Sequence, residues 1–465
     1  MPTGQTIREP ARDIPVFRAC DVLVVGGGPA GTAAAASAAQ LGAHTVLVER
    51  YGHLGGMSTG GFVLWIDRMT DWQGRQVIAG FANDLLDRLP GEAVLGPPPQ
   101  LWGSKDAAAV AYWKDRYNAF QGMVTWSPTV DPEMLKMASL DLVLERGVSL
   151  LLHAWVVAAV QEGPEVRGVI FESKSGRQAI LAKVVVDATG DGDVFALAGA
   201  PYETDTVAPE AREEFEFVVS PNIHDRMTLS SRWGGVDMER YLAFRRDHPE
   251  QHKAVMARGK ERGVVDRPHA MPRNDVTLFM APKMSGYSCI DVDDLTAVEI
   301  EGRRRVRQML DFYRREMPGF ERAWLIDTSP QIGTRHSRRL AGVKRMTREA
   351  WTAGLRHDDE IAISPPPNVR YPNVSVPLGC LVPAALDGLL AAGRNLSSDT
   401  ATHSFMREIP QCWAMGQAAG VVAAIAVAAG VRVRDVDVAE VQRQLVKQGV
   451  WLPEPVQGRR VPLEP

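Results

Sequence analysis

Cysteine is scarce: four residues, Cys20, Cys289, Cys380 and Cys412, are scattered over 465 positions. They form no C-x-x-C pair, so neither a disulfide framework nor a zinc site is expected. The acidic residues are dispersed, and no metal cluster stands out. Charge of one sign is also lacking. The 52 basic and 56 acidic residues leave a net charge of -4, which gives no footprint for nucleic acid. Long apolar runs are missing too. The longest, Ala418 to Ala429, is broken by Gly420 and falls short of the ~20 residues that a membrane span needs. It reads as a buried helix. Met1 to Arg18 is polar and has no apolar signal core. A reduced, cytoplasmic protein is the simplest reading.

What remains is an ordinary globular composition, 45% hydrophobic and 23% charged, long enough for two or three domains. The informative stretch lies near the N-terminus. Val22 to Val25 reads as a buried strand that runs into Gly26-Gly-Gly-Pro-Ala-Gly31 and an alanine-rich helix from Pro29. The glycines fit the dinucleotide pattern G-x-G-x-x-G. Gly26 permits the turn, Gly28 lets a pyrophosphate touch bare backbone, and Gly31 lets helix and strand approach. The helix N-terminus supplies free N–H groups for the phosphates. A second strand, His44 to Glu49, ends in an acid placed to accept ribose hydroxyls. Arg50 follows, and Gly52 to Gly61 then carries five glycines, too many for a stable helix or strand. The apolar Leu54, Met57 and Phe62 suit this loop to wrapping a flat ligand.

Trp65 to Trp126 holds five of the eleven tryptophans and looks like an excursion that supplies pocket walls. A helix capped by Asp131 runs to Glu145. Strands are expected at Leu150–Val160, Gly168–Glu172, Gln178–Leu181 and Lys183–Asp187. The last enters a second glycine–acid turn, Ala188-Thr-Gly-Asp-Gly-Asp193. Gly199 to Pro268 is polar and poorly periodic. Strands at Val276–Met280, Ser288–Val292 and Trp324–Asp327 flank a long helix, Asp294–Met317. A strand at Val374–Leu381 precedes a third turn near Gly393 and a helix from about Gln411.

Together the pieces resemble FAD-dependent oxidoreductases of the glutathione-reductase-like superfamily, with succinate dehydrogenase and fumarate reductase flavoproteins as relatives. The resemblance rests on Gly26–Gly31 with Glu49, Gly55–Gly61, Asp187–Asp193, Gln331–Arg335 with Ser337-Arg338, Gly388–Arg394 and Met415–Gly420. It implies an α/β fold: a Rossmann-like FAD-binding domain, with a parallel sheet, helices on both faces and a small antiparallel sheet, carrying an inserted α+β substrate domain. The expected FAD-binding domain comprises 18–64, 127–198 and 370–445, the cap 65–126 and 199–369, and the tails 1–17 and 446–465. FAD contacts are expected from Gly26, Gly28, Pro29, Ala30, Gly31, Glu49, Arg50, Gly55, Gly56, Met57, Val157, Ala188, Thr189, Gly190, Asp191, Gly393, Arg394, Gln417 and Ala418. The resemblance also raises His53 as a point of covalent flavin attachment, and covalent and non-covalent binding both stay open.

His403 and Arg407 are the sharpest catalytic candidates. Fumarate reductase relatives carry a His and an Arg at the same spacing, where the pair grips a substrate carboxylate. This chain keeps both but not the Gly and Asn between them. His403 can serve as acid or base, and Arg407 can hold an anion. The alternatives are a histidine bonded inside the flavin wall and an Arg407–Glu408 salt bridge. Arg335 and His336 form a second candidate site, and Arg338 and Arg339 read as structural or nucleotide-facing. The expected activity is a two-electron oxidation or reduction, of dehydrogenase or oxidase type, on a small organic substrate. Arg335, Arg407 and Arg232 hint that it is acidic. The alternative is a flavin monooxygenase or halogenase. Its hydroxylase turn, Gly-Asp-Ala-Ala-His, and its halogenase stretch, Trp-x-Trp-x-Ile-Pro, are both missing. A structural or tRNA-modifying flavoprotein would need a basic patch, which is absent. The electron partner (oxygen, quinone or nicotinamide) and the oligomeric state are not legible.

Overall fold

The computed structural model describes residues 6–204, 227–265 and 268–453. Parts of the expected tails, 1–5 and 454–465, and of the second excursion, 205–226 and 266–267, lie outside the described residues.

A seven-stranded sheet organises the chain. Its first units are strand β1 (Val16–Val25), helix α1 (Pro29–Gln40) and strand β2 (Thr45–Val48). Helix α2 (Pro132–Glu145) then leads to β3 (Ser149–Leu151), β4 (Trp155–Glu162), β5 (Glu165–Ser173) and β6 (Gly176–Asp187). Strand β7 (Leu389–Ala391), helix α3 (Thr400–Met406) and helix α4 (Ile409–Ala429) complete the unit. Strands β3, β2, β1, β6 and β7 lie parallel in that order. The start of β6 pairs instead with β5, antiparallel, and β5 with β4. One strand thus joins the parallel sheet to the antiparallel layer.

The alternation along β1 decides both faces. Val22 and Val24 belong to the core under α1 and α4, and Leu23 and Val25 to the core on the other side. Expected and observed strands differ where exposure differs. β1 begins six residues early because Val16 to Ala19 are largely exposed yet still pair with β6. The single strand expected over 150–160 is two, parted at His153, whose φ is +57°. The two strands expected over 178–187 are one.

A four-stranded antiparallel sheet lies in the second half of the chain, ordered 268–270, 276–279, 231–234, 324–328. It packs on the helix at 292–316 around Trp233, Phe279, Tyr313 and Phe320. The expected strand at 288–292 is not formed. Asp291 caps this helix instead, its Oδ1 accepting from Asp293 and Asp294 N–H. The stretch read as poorly periodic contains helices at 238–247 and 249–261, separated at His248-Pro249. Among the described residues α4 is the one helix long and apolar enough to cross a membrane, with a mean hydropathy of 1.7; it is packed inside the protein.

Candidate active site

The ends of the parallel strands open on a cleft of about 870 Å³. Glycine shapes its floor. Gly26 has φ +98°, and a Cβ there would stand 2.5 Å from the Ala188 carbonyl oxygen; one on Gly31 would stand 1.7 Å from the Gly26 oxygen. The β1 turn therefore lies directly against the β6 turn and against α1. Gly28 is different: a Cβ there meets only Gly56 Cα, at 3.9 Å, so its backbone faces open space in the cleft. Gly55 and Gly56 both take positive φ, which brings the second glycine loop over Gly28.

Acids and arginines ring this floor. Glu49 accepts from Gly27 N–H at 2.6 Å and Tyr51 N–H at 2.8 Å. Burial raises its pKa against those bonds. Asp187 is fully buried and accepts from Thr189 and Phe195 N–H, which fixes the second turn. Burial pushes its pKa up to about 6. Asp191 pairs with Arg394 at 2.7 Å. Burial is the largest single influence and pushes its pKa up, but the Arg394 charge and hydrogen bond, with Arg50 and Ser337, together outweigh it and hold the pKa low. Arg50 lies over the rings of Tyr51 and Trp155 at the mouth.

Gly26, Gly28, Pro29, Ala30, Glu49, Arg50, Gly56, Met57, Val157, Ala188, Thr189, Gly190, Asp191, Gly393 and Arg394 all line the cleft, as does Arg407. Gly31 and Gly55 support it from behind. Gln417 and Ala418 do not reach it. Gln417 accepts from Phe81 N–H and donates to Gln448, and Ala418 is core. The Met415–Gly420 motif works through its glycines instead. Cβ atoms on Gly416 and Gly420 would stand 2.1 and 2.2 Å from the carbonyl oxygens of Ala30 and Ala34, so α4 lies backbone to backbone on α1.

Cys289 and Cys412 also line the cleft, but burial pushes each thiol to about 12, so neither is a ready nucleophile. His53 sits beside Gln331 and outside the lining, 3.5 Å from its amide. Two local spellings of other chemistries have ordinary roles. Gly56-Met-Ser-Thr-Gly60 reads as G-x-S-x-G, yet Ser58 is buried and donates to Gly55 O at 2.8 Å. His248 and His252 have H-x-x-x-H spacing, yet His252 packs on Tyr241 and Phe244. No group of three or more His, Cys, Asp or Glu suited to a metal occurs among the described residues.

Residues 21–445 match the family model described as FAD dependent oxidoreductase. The chain belongs to this family. A dihydrolipoyl dehydrogenase of Trypanosoma brucei brucei is 58% identical over 45 residues, which span 10% of this chain and 9% of that enzyme. Among solved structures, a geranylgeranyl bacteriochlorophyll reductase-like protein of Thermoplasma acidophilum aligns with TM-score 0.44 and 15% identity, covering 92% of this chain and 83% of that one. The flavin-dependent brominase Bmp2 aligns with TM-score 0.44 and 13% identity, over 88% and 80%.

FAD is the cofactor of this oxidoreductase, and the open backbone at Gly28 between two glycine turns fits a dinucleotide pyrophosphate. The three catalytic candidates sit in different places. His403 does not reach the cleft: it is fully buried, and its Nε2 donates to Arg394 O at 2.8 Å. That leaves its Nδ1 as acceptor toward His336 Nδ1 at 3.5 Å, with Arg339 against the His336 ring at 3.1 Å. Helix α3 turns His403 inward, whereas Arg407 is its C-cap residue and extends to the cleft. Arg335 is half-buried and acts electrostatically on Glu408. Arg338 pairs with Asp193, and Arg232 with Asp327. Sequence reasoning missed Glu408 as a cleft residue, with its neighbours Asp67 and Lys283.

Burial first, then His336, Arg339 and Arg407, hold the His403 pKa well below the ordinary 6.5. The folded state thus refuses a proton that the unfolded chain accepts below pH 6.5. Stability is full above that value and falls with acidification, by up to ~1.4 kcal/mol per pH unit. Denaturant unfolding at two pH values on either side of 6.5 checks this. His403→Gln keeps a donor toward Arg394 O and is expected to show a shallower loss. Equal losses would count against His403 as the responsible group.

Proposed function

We propose that this flavoenzyme carries out a two-electron oxidation or reduction, of dehydrogenase or oxidase type, on a small organic acid. One observation carries the reading. Arg407 lines the cleft, paired with Glu408 through one guanidinium nitrogen and with its buried Nε unpartnered, and Arg335 and Lys283 add positive charge around the same point, against Asp67. A cleft-lining guanidinium beside further cations is a place for a carboxylate. FAD supplies the electron transfer itself. The chain's part is to orient the substrate acid on Arg407 and keep water away. Gly26, Gly28–Ala30, Glu49, Arg50, Gly56, Met57, Val157, Ala188–Asp191, Gly393 and Arg394 are the proposed FAD contacts, with 65–126 and 199–369 as the cap and a cytoplasmic setting. The electron partner is a second small molecule, an oxygen, quinone or nicotinamide.

Anaerobic bleaching of the FAD absorbance by a panel of small acids and their amides tests the reading. Bleaching by acids but not by amides is expected. Arg407→Ala should weaken kcat/KM for the active acid roughly 30- to 150-fold, for the loss of about 2–3 kcal/mol of charge-assisted bonding. If amides bleach as well as acids, the substrate is not held by its charge.

A further inference from the structure

With His403 behind the wall, the cleft needs another group to carry a proton. We propose that Glu408 is the acid–base residue of this active site. Its carboxylate takes the substrate's heteroatom proton in the oxidative direction and returns one in the reductive direction. The proposal rests on the oxidoreductase reading above and adds the proton carrier to it.

Position is the first argument. Glu408 is the N-cap residue of α4, yet its side chain makes no capping bond. The acids at other N-caps do cap. Asp131, Asp399 and Asp437 each accept a first-turn N–H of the helix they begin. Glu408 instead reaches into the cleft, where its side chain is 21% exposed and pairs with Arg407 at 3.0 Å.

Its company is the second. Each of the other carboxylates along the cleft has a partner of its own. Glu49 holds two backbone N–H groups, Asp191 holds Arg394, Asp193 holds Arg338, and Glu299 holds Arg303. Glu408 has one too, but with Arg407, itself a cleft residue whose Nε has no hydrogen-bond partner. Its charged neighbours come from three further segments: Asp67, Arg335 and Lys283. Burial raises its pKa most. Asp67 adds to the rise, and Arg407, Arg335 and Lys283 oppose it, leaving the carboxyl above its ordinary value and nearer the working range of a general acid–base.

The step balances. A substrate bearing H–C–X–H loses the carbon hydrogen with two electrons to FAD and the X–H proton to the Glu408 carboxylate, and the C=X bond forms. Glu408 ends as a neutral acid and releases its proton to solvent when the cofactor gives up its electrons. Negative charge arriving on the cofactor favours that neutral form, so proton uptake at Glu408 follows reduction.

Reduction by dithionite tests this without any substrate. Reduced-minus-oxidised infrared spectra of the FAD-loaded protein in H₂O and D₂O should show a protonated-carboxyl C=O band gained on reduction and shifted in D₂O. The band should be absent from Glu408→Gln and present in His403→Gln. If it persists in Glu408→Gln, or if wild type gains no such band anywhere between about pH 5 and 8, the proposal is overturned. Should Glu408→Gln release FAD, Glu408→Asp decides: the band moves if it belongs to residue 408, and an unmoved band rejects the assignment. Glu408→Gln is also expected to lower kcat by ~10²–10⁴ and to remove the acidic limb of the kcat profile; an unchanged kcat and limb would reject it too. A failed acid panel with an intact infrared result would sink the acidic substrate and leave Glu408 standing.

Discussion

Gly416→Val is expected to yield little folded protein. The contact between α1 and α4 is made by main chain, not by interlocking side chains. A Cβ at 416 would stand 2.1 Å from Ala30 O and 2.7 Å from Ala30 C and Cα, none of which can swing aside. Moving α4 outward would break its seating on Ala33 and Ala34 and lift its first turn from the cleft wall. A clash of this kind belongs to the severe tail of single substitutions, beyond ~4 kcal/mol. Soluble yield and thermal unfolding without added FAD are the measurements. A soluble Gly416→Val with near wild-type Tm would mean that the two helices can separate at low cost.

The same pair of helices shows what the chain discloses and what it hides. The Gly26–Gly31 turn was legible because the ligand demands bare backbone at fixed spacing, and fixed spacing survives in sequence. Met415–Gly420 was legible as a pattern but not in its cause. Its glycines serve helix packing, and Gln417 points to Phe81 and Gln448 instead of the cleft. The strands of the second sheet were partly legible, but helices 238–247 and 249–261 are mostly polar with few buried residues, so no apolar periodicity announced them.

The catalytic candidates were the least legible, for a geometric reason. His403 and Arg407 share the spacing that puts two residues on one helix face. The helix ends at Met406, however, and only the longer side chain escapes to the cleft. Glu408 was legible as a salt-bridge partner of Arg407, and that bridge is present. Its electrostatic setting depends on Asp67, Lys283 and Arg335, which are far away in sequence and are brought near only by the fold. Local pattern thus located the glycine-lined cleft, while long-range packing brought its charged groups together.

Gly28→Val is expected to fold and to lose FAD entirely. Gly28 has φ -72° and ψ -171°, a conformation open to any residue, so valine brings no backbone strain. The nearest atom to its Cβ would be Gly56 Cα at 3.9 Å, an ordinary contact. Valine's methyl groups would instead fill the space over the first turn of α1, where N–H groups and the helix dipole await the pyrophosphate. The purified variant should be colourless and take up no added FAD, while its unfolding matches wild-type apoprotein within ~1 kcal/mol. The contrast with Gly416→Val separates a glycine kept for the ligand from one kept for the fold. A yellow Gly28→Val protein would mean that the pyrophosphate does not lie on this turn, and the contacts proposed around Gly28 and Gly56 would have to be redrawn.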